Sequence, residues 1–299
     1  MKLATIIPSF RVPFLVLAPI CVFLGASISY KEQGAIDFCL LAIVMLGGIL
    51  AHIGVNTLNE YQDYQSGLDL KTMRTPFSGG SGLLCRQPEL LPWVKTAAIV
   101  STLLTLFIGF YFIYLHGLAI MPLIPIGVLG LAIVVSYTKW INKRPLICLV
   151  APGLSFGLLM VAGTQLVLSG HFSSTPWVIG VIPFFLINNL LLLNQYPDID
   201  ADKSIGRNHF PIAFGIKASN SIFALFSVCS TLLILFYISQ NILPALSALA
   251  LIPQMLAYIA LYGAIKFGAS IGQQPKYLAY NIACTLLTPL TIAITVFIN

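Results

Sequence analysis

The stretch IDFCLLAIVMLGGILAHIGVNTLNEYQDYQSGLD, residues 36 to 69, decides the fold class of this chain. The part from 36 to 58 is almost entirely apolar and long enough to cross the hydrocarbon core of a bilayer, which takes about 20 helical residues. The part that follows carries Glu60, Asp63 and Asp69. Because a carboxylate is costly at the bilayer centre and much less so at its edge, we expect these acids at the mouth of a cavity.

The composition extends this interpretation to the whole chain. Only 8% of the 299 residues are charged and 58% are hydrophobic, whereas a soluble domain has about 25% charged residues. Lipid offers the backbone no hydrogen-bond partners, so apolar spans of this length are predicted to be helices. The sequence predicts an all-α membrane protein in which residues 1–299 form a single domain. Its nine predicted transmembrane helices lie at 12–30, 36–58, 94–115, 118–138, 146–168, 175–193, 219–239, 243–263 and 277–298.

Lysine and arginine residues segregate to one side of these spans. Short cytoplasmic loops retain basic residues. The amino-terminal segment and the connections after the even-numbered spans hold all of them except Lys31. This pattern predicts a cytoplasmic amino terminus and an outer Asn299, in the inner (plasma) membrane of a bacterium. The net charge of +6 fits loops that face anionic lipid, and no feature indicates a nucleic-acid partner.

A second acidic stretch, NQYPDIDADKSIGR at 194 to 207, follows the sixth span on the same basic side. Helical spacing predicts that the polar residues of each stretch share one helix face. The first face holds His52, Asn56, Asn59 and Asp63, and the second holds Asn194, Asp198 and Asp202. Gly67 is expected to end the first helix so that Asp69 turns back toward the site. Pro197 is expected to kink the second helix.

The acids and the bases at this mouth together indicate a metal-bound diphosphate. Two carboxylates four residues apart repel each other unless a cation lies between them. Carboxylate and amide oxygens are ligands that Mg²⁺ prefers, usually with phosphate oxygens. The candidate diphosphate-binding residues are Lys71, Arg74, Lys139, Lys143, Arg144, Lys203 and Arg207. The glycine-rich SGGSG at 78–82 offers backbone N–H groups to phosphate oxygens, and an ordinary flexible loop is the alternative.

The pairing of NxxxD (Asn59 to Asp63, followed by Asp69) with DxxxD (Asp198 to Asp202) across nine spans resembles the UbiA superfamily of intramembrane prenyltransferases. The resemblance implies a nine-helix bundle around a central cavity open to lipid. It also implies transfer of a polyprenyl group from an allylic diphosphate to an aromatic acceptor. The implied Mg²⁺ ligands are Asn59, Asp63, Asp198 and Asp202, with Asp69 contributing, and Asp63, Asp198 and Asp202 are the implied catalytic residues.

Three segments are similar to one branch of that superfamily, which prenylates 1,4-dihydroxy-2-naphthoate in menaquinone synthesis. They are NEYQDYQSGLD at 59–69, DIDADKSIGR at 198–207 and FGLLMVAGTQLVLSG at 156–170. The alternative acceptor is 4-hydroxybenzoate, a precursor of ubiquinone, or a related quinone precursor. Two further alternatives belong to other classes. One is an ion-coupled transporter, because intramembrane acids also mark ion pathways. The other is a lipid head-group transferase, although the usual DG pair of such enzymes is absent.

The allylic carbocation of such a reaction needs shelter from water and a neighbouring π face. The candidates for the substrate cavity are Tyr64, Tyr137 and Tyr196 for the aromatic wall, and His52, Asn56 and Asn194 for its polar part. For His52, the alternative is a histidine that is hydrogen-bonded between helices. For Tyr137, the alternative is membership of the aromatic belt at the membrane interface.

Overall fold

The computed structural model describes residues 2–299, which fold almost entirely into helices and contain no β-strand. Nine principal helices follow one another along the chain. They are α1 (Leu17–Gln33), α2 (Phe38–Gln65), α3 (Leu91–His116), α4 (Leu123–Ser136), α5 (Pro145–Ser169), α6 (Thr175–Asn194), α7 (Phe210–Ser239), α8 (Leu251–Phe267) and α9 (Pro275–Phe297). Three short helical segments precede α1, namely Lys2–Ile6, Ile7–Phe10 and Val12–Leu15.

Within residues 2–299, eight of the principal helices are long and apolar enough to cross a bilayer when the short turns at their ends are counted. Helix α4 is the exception, since its 14 residues fall short of the roughly 20 that a span takes. The predicted span 118–138 is therefore too long. Its first residues form a separate 3₁₀ turn, Gly117–Ile120, and Pro122 lacks the N–H that would join this turn to α4. The all-α membrane fold with nine helices is confirmed, with one helix shorter than predicted.

Three other helix boundaries differ from the prediction. Helix α2 continues to Gln65, past the predicted end at 58, so the first acidic stretch is itself helical. Helix α7 begins at Phe210, before the predicted start at 219, and bends at Gly215, whose φ is 78°. Helix α8 begins only after a 3₁₀ segment, Ala245–Ala250. The extension of α2 matters most, because it carries a rigid helix into the acidic region.

Helices α1, α5, α6 and α9 form the packed centre, with α2 to α4 on one side and α7 and α8 on the other. Helices α5 and α6 approach closely because Gly153 and Gly157, one turn apart, face α6. A Cβ atom at Gly157 would lie 2.5 Å from the backbone nitrogen of Phe184. The N–H of Gly153 donates to Asn188 Oδ1 at 2.7 Å. This bond satisfies a backbone group at the start of the π-helical segment Gly153–Met160 in the middle of α5.

A cavity of about 580 Å³ lies between α2, α3, α4 and α5 and reaches the end of α6. Most of its wall is apolar, and both acidic stretches contribute to one end of it. The outer face of α3 carries exposed side chains such as Phe107 and Tyr114. Such residues contact lipid in a bilayer, and the helices are those of an integral membrane protein. The fold thus places an apolar chamber inside the membrane and a polar mouth at one end of it.

Candidate active site

The first acidic stretch lines the cavity along one side of α2. His52, Asn56, Asn59 and Asp63 all lie in its wall, as the 4-3-4 spacing predicts for a continuous helix. Gly67, with a φ of 76°, then reverses the chain after α2. The turn brings Asp69 back to the same cavity, where only 4% of it is exposed.

The prediction that the second acidic stretch forms one helix face is wrong. Helix α6 ends at Asn194, four turn residues follow, and a short helix begins only at Ile199 (Ile199–Ser204). Pro197 is the physical reason, because it cannot donate a helical hydrogen bond and disfavours a helical residue before it. The broken chain nevertheless places Asn194, Asp198 and Asp202 in the wall of the same cavity.

Arg207 connects the two stretches. Its Nη1 donates to Asp202 Oδ1 at 2.7 Å, and its Nη2 donates to Asp63 Oδ1. The other oxygen of Asp202 lies 3.0 Å from Nε2 of His209. The side chains of Asp63 and Asp202 are 7% and 5% exposed, so these ion pairs are almost fully withdrawn from water. Residues that are far apart in sequence therefore form one charged cluster.

The donor chemistry of this cluster fits Mg²⁺, although the ligands are not assembled into a cage. Among residues 2–299, no three acidic, histidine or cysteine side chains converge closely enough to hold a metal ion. Asp63 and Asp202 do not form such a group because Arg207 lies between them and pairs with both carboxylates. Two buried oxygens in the cavity wall, Asp69 Oδ2 and Asn194 Oδ1, have no hydrogen-bond partner among the described residues. Unpartnered carboxylate and amide oxygens beside further carboxylates form the kind of oxygen-rich set that Mg²⁺ prefers.

Two of the carboxyls outside the membrane spans have raised pKa values. Burial raises the pKa of Asp69 to about 7, and the charges of Glu60 and Asp63 add to this effect. Burial also raises the pKa of Asp198 to about 7; the charge of Asp202 adds to this effect, while a hydrogen bond from Ser78 opposes it. Both carboxyls therefore change protonation near neutral pH, and a cation bound beside them favours their charged forms.

Arg11 is a cavity residue that no sequence motif indicates. Its Nη2 donates to Asn59 Oδ1 at 2.9 Å and lies 3.4 Å from Glu60 Oε2. Arg11 adopts a φ of 52°, an uncommon conformation for a residue other than glycine. The segment before α1 is fastened nearby, where Asn56 Nδ2 donates to the carbonyl of Phe10 at 2.9 Å. The amino-terminal segment therefore supplies a second arginine to the site.

Glu60 holds the glycine-rich loop 78–82 against the site. This fully buried carboxylate accepts hydrogen bonds from the backbone N–H of Ser81 at 3.0 Å and from the Ser81 hydroxyl. Gly80, with a φ of 73°, lies so close that an added Cβ would be 3.0 Å from Asp69 Oδ1. Ser78 Oγ lies 3.4 Å from Asp198 Oδ1 at the other side of the loop. The loop is thus tied to both acidic stretches and contributes part of the cavity wall.

With this geometry in place, comparison with known proteins identifies the family. The UbiA prenyltransferase family matches residues 18–282. The chain belongs to the UbiA prenyltransferase family. Membership confirms the expected family and the expected class of enzyme, a prenyltransferase.

Individual relatives agree with this assignment. The zebrafish (Danio rerio) "UbiA prenyltransferase domain-containing protein 1" is 28% identical over 211 residues, which cover 68% of this chain and 59% of the relative. The chain therefore matches less than two thirds of that relative's length.

Solved structures show the same fold. An apo UbiA homologue from Aeropyrum pernix K1 has a TM-score of 0.70 and 15% identity, over 96% of this chain and 98% of that one. A UbiA homologue from Archaeoglobus fulgidus bound to DMAPP and Mg²⁺ has a TM-score of 0.64 and 14% identity, over 95% of this chain and 98% of that one.

Most of the predicted diphosphate-binding residues lie outside the cavity of this family member. Arg207 lines it, whereas Lys71, Arg74, Lys139, Lys143, Arg144 and Lys203 are exposed and do not. Arg74 instead donates to the backbone oxygen of Asp69, and Arg144 stacks on Trp140. The reason is that long basic side chains at the rim of a membrane protein extend to water or to anionic head groups in preference to an apolar chamber.

Two of the predicted aromatic wall residues also lie elsewhere. Tyr64 packs against a separate cluster that includes Ile6 and Leu84, and Tyr196 is fully buried with its hydroxyl donating to Asn220 at 2.8 Å. Tyr137 lines the cavity. For Tyr64, the cause is its position directly after Asp63 on α2, since consecutive side chains of a helix point about 100° apart. Tyr196 is turned into the core by the break after α6. The cavity also includes His209 and Asn142, which were not predicted and which carry no motif.

Proposed function

We propose that this protein is a Mg²⁺-dependent polyprenyltransferase that moves the prenyl group of an allylic diphosphate to an aromatic acceptor within the membrane. One observation carries the proposal: two acidic stretches from distant parts of the chain converge on a single cavity whose remaining wall is apolar. A polar end suits a diphosphate, and an apolar chamber suits an isoprenoid tail. The Archaeoglobus fulgidus homologues that share the fold are bound to DMAPP or GPP together with Mg²⁺. These complexes support the assignment of the diphosphate to the polar end and of the isoprenoid tail to the apolar chamber.

The mouth of the cavity is proposed to bind the diphosphate. Asn59, Asp63, Asp69, Asp198 and Asp202 are the residues that would hold Mg²⁺, and the metal would neutralise the charge that develops on the leaving diphosphate. Arg207 and Arg11 are cations at the same place, and each has free donors: the Nε of both is buried without a hydrogen-bond partner among the described residues. Charge-assisted bonds from guanidinium groups to phosphate oxygens favour departure of the diphosphate with the electron pair of the C–O bond.

The chamber below the mouth is proposed to protect the allylic cation until the acceptor attacks. Its lining includes Phe156, Leu159 and Met160 of α5, which exclude water from the reacting carbon. Tyr137 presents an aromatic side chain in the same wall, and a π face stabilises a nearby cation. An electron-rich aromatic carbon then forms the new C–C bond with its π electron pair.

The proposed acceptor is 1,4-dihydroxy-2-naphthoate, which makes the reaction a step of menaquinone synthesis. The support for this choice is the similarity of residues 59–69, 156–170 and 198–207 to that branch of the family. The proposed membrane is a bacterial plasma membrane, and the segregation of Lys and Arg supports a cytoplasmic location for the mouth of the site and the amino terminus. An acceptor such as 4-hydroxybenzoate is the alternative.

The test uses the full chain in lipid nanodiscs with one labelled allylic diphosphate and a panel of aromatic acids. We expect a prenylated naphthoate product that requires Mg²⁺ and disappears when the metal is chelated. Product from 4-hydroxybenzoate but not from the naphthoate would overturn the acceptor. Absence of a prenylated product with every acceptor, or an ion flux through liposomes that persists under chelation, would overturn the enzymatic proposal in favour of a carrier.

A further inference from the structure

A pair of polar side chains lies in the apolar wall of the cavity, away from the acids. His52 on α2 is 6% exposed, and its ring packs edge-on against Phe156 with 4.7 Å between the ring centroids. Ser155 is the neighbour of Phe156 in the π-helical segment of α5. Both His52 and Ser155 line the cavity. Gly48, one turn before His52, packs near Met160, one turn after Phe156, so α2 and α5 run antiparallel here and bring the two residues to the same depth.

Both residues have buried polar atoms without a partner. Neither Nδ1 of His52 nor Oγ of Ser155 has a hydrogen bond to any described residue, so the interpretation of His52 as an interhelical hydrogen-bonded histidine is wrong. Other hydroxyls in this chain bond back to a carbonyl of the preceding turn, as Thr57 does to Ile53 at 2.7 Å. Ser155 does not make such a bond. An unpaired polar group in apolar surroundings is costly, and a ligand or ordered water that bonds to it recovers that cost.

The depth of this pair suits the acceptor. His52 precedes Asn59 by seven residues on a continuous helix, which places it about 10 Å deeper than the amide at a rise of 1.5 Å per residue. When a diphosphate binds at the acidic mouth, the reacting prenyl carbon lies between the depth of Asn59 and the depth of His52. An aromatic ring that attacks this carbon from within the chamber therefore lies beside His52 and Ser155.

We propose that His52 and Ser155 form the subsite for the oxygen substituents of the aromatic acceptor, an inference that rests on the proposed function. The neutral imidazole accepts the proton of one acceptor hydroxyl, and the Ser155 hydroxyl donates to a second acceptor oxygen. The acceptor is thus a ring with two oxygen substituents. His52 is a catalytic residue in this proposal because it touches the reacting molecule.

The proton and electron balance of the step is complete without another reactant. As the diphosphate leaves with the C–O electron pair, the ring carbon forms the C–C bond and the hydroxyl proton passes to His52. The resulting keto form regains aromaticity when the proton on the alkylated carbon moves to the oxygen. The single proton released overall leaves from the imidazolium of His52, and the enzyme returns to its starting state.

Kinetics of three variants test the subsite. We expect His52→Gln and Ser155→Ala each to raise the acceptor KM about tenfold, the effect of one lost hydrogen bond to a buried group, and to change the donor KM less than twofold. His52→Gln should also lower kcat at least about a hundredfold, because glutamine cannot take the proton. His171→Gln, in an exposed outer connection, is the matched control and should match the wild type. Ser155→Ala removes a single oxygen, so it tests the proposal even where a His52 variant does not accumulate. Unchanged acceptor KM in an active Ser155→Ala enzyme would overturn it.

A second measurement separates a contact from a structural role. The two analogues of 1,4-dihydroxy-2-naphthoate that each lack one hydroxyl serve as competitive inhibitors. The loss of binding free energy on removing a hydroxyl and the loss on removing its partner on the enzyme should not be additive. The analogue that lacks the hydroxyl bound by His52 should therefore bind the wild type and His52→Gln equally. Fully additive losses for both analogues would overturn the subsite. A wild-type enzyme that prenylates no acceptor would instead refute the proposed function, and this subsite with it.

Discussion

Replacing Arg207 with methionine should destabilise the metal-free protein and make its stability depend on Mg²⁺. Arg207 offsets the repulsion between the carboxylates of Asp63 and Asp202 at the mouth of the cavity, since it bonds to both. Methionine retains most of the buried aliphatic volume and removes the charge. The two carboxylates are then left buried with His209 as the remaining partner of Asp202.

The expected size follows from the burial of these groups. Removing one partner of a buried ion pair costs about 3–5 kcal/mol. Protonation of one carboxyl relieves part of this cost, so we expect a loss at the lower end, about 3 kcal/mol. For a chain of this size, that loss corresponds to a decrease of roughly 6–12 °C in the unfolding temperature. Mg²⁺ that binds the unpaired carboxylates should restore most of the difference.

The assay is thermal unfolding in detergent, with and without Mg²⁺ and inorganic pyrophosphate. The control is Lys203→Met, which removes a basic residue that is exposed and close in sequence, and should change stability by less than about 0.5 kcal/mol. If Arg207→Met unfolds at the wild-type temperature in metal-free buffer, the buried ion pairs do not stabilise the site. If Mg²⁺ stabilises the wild type and the variant equally, Arg207 does not occupy the position of the metal between Asp63 and Asp202.

Three further predictions concern the same cavity. Asp63→Asn and Asp198→Asn should each abolish prenyl transfer, as measured by product formation. In thermal unfolding, Asp198→Asn should resemble the wild type, whereas Asp63→Asn should unfold at a lower temperature because it removes one buried partner of Arg207. Because the pKa values of Asp69 and Asp198 are raised to about 7 and Mg²⁺ binds their deprotonated forms, the Mg²⁺ concentration for half-maximal activity should rise at least about tenfold from pH 8 to pH 6. Gly80→Ala should lower activity at least about tenfold by displacing Asp69. Gly34→Ala has a similar φ but open space, and should cost only about 1–2 kcal/mol of stability.

Sequence reasoning located the first half of the site because one continuous helix carries it. Spacings of 4, 3 and 4 from His52 to Asp63 place side chains on one face of any α-helix, and α2 stays regular to Gln65. The return of Asp69 after Gly67 was also predictable, since glycine commonly ends a helix in the left-handed conformation. These features depend on local geometry alone.

The same reasoning failed where the chain leaves regular helix. Pro197 breaks the helix and does not merely kink it, so Asp198 and Asp202 reach the cavity through turns whose path no periodicity describes. Arg11 lies in the amino-terminal segment, and only the folded chain shows that it reaches Asn59. Formal charge was likewise a poor guide, because every lysine of the predicted set is exposed and lies outside the cavity.

The two arginines of the site explain how carboxylates can be both buried and ready for a metal. Glu60, Asp63 and Asp202 are nearly inaccessible to water, and Arg11 and Arg207 supply the positive charge that makes this burial tolerable. A metal ion that binds Asp63 and Asp202 competes with Arg207 for the same oxygens. Under the proposed function, the guanidinium that the metal would displace would lie at the mouth with unpaired donors, where they would bind an incoming diphosphate. Binding of metal and of diphosphate should therefore be cooperative, because each removes the electrostatic cost that the other creates.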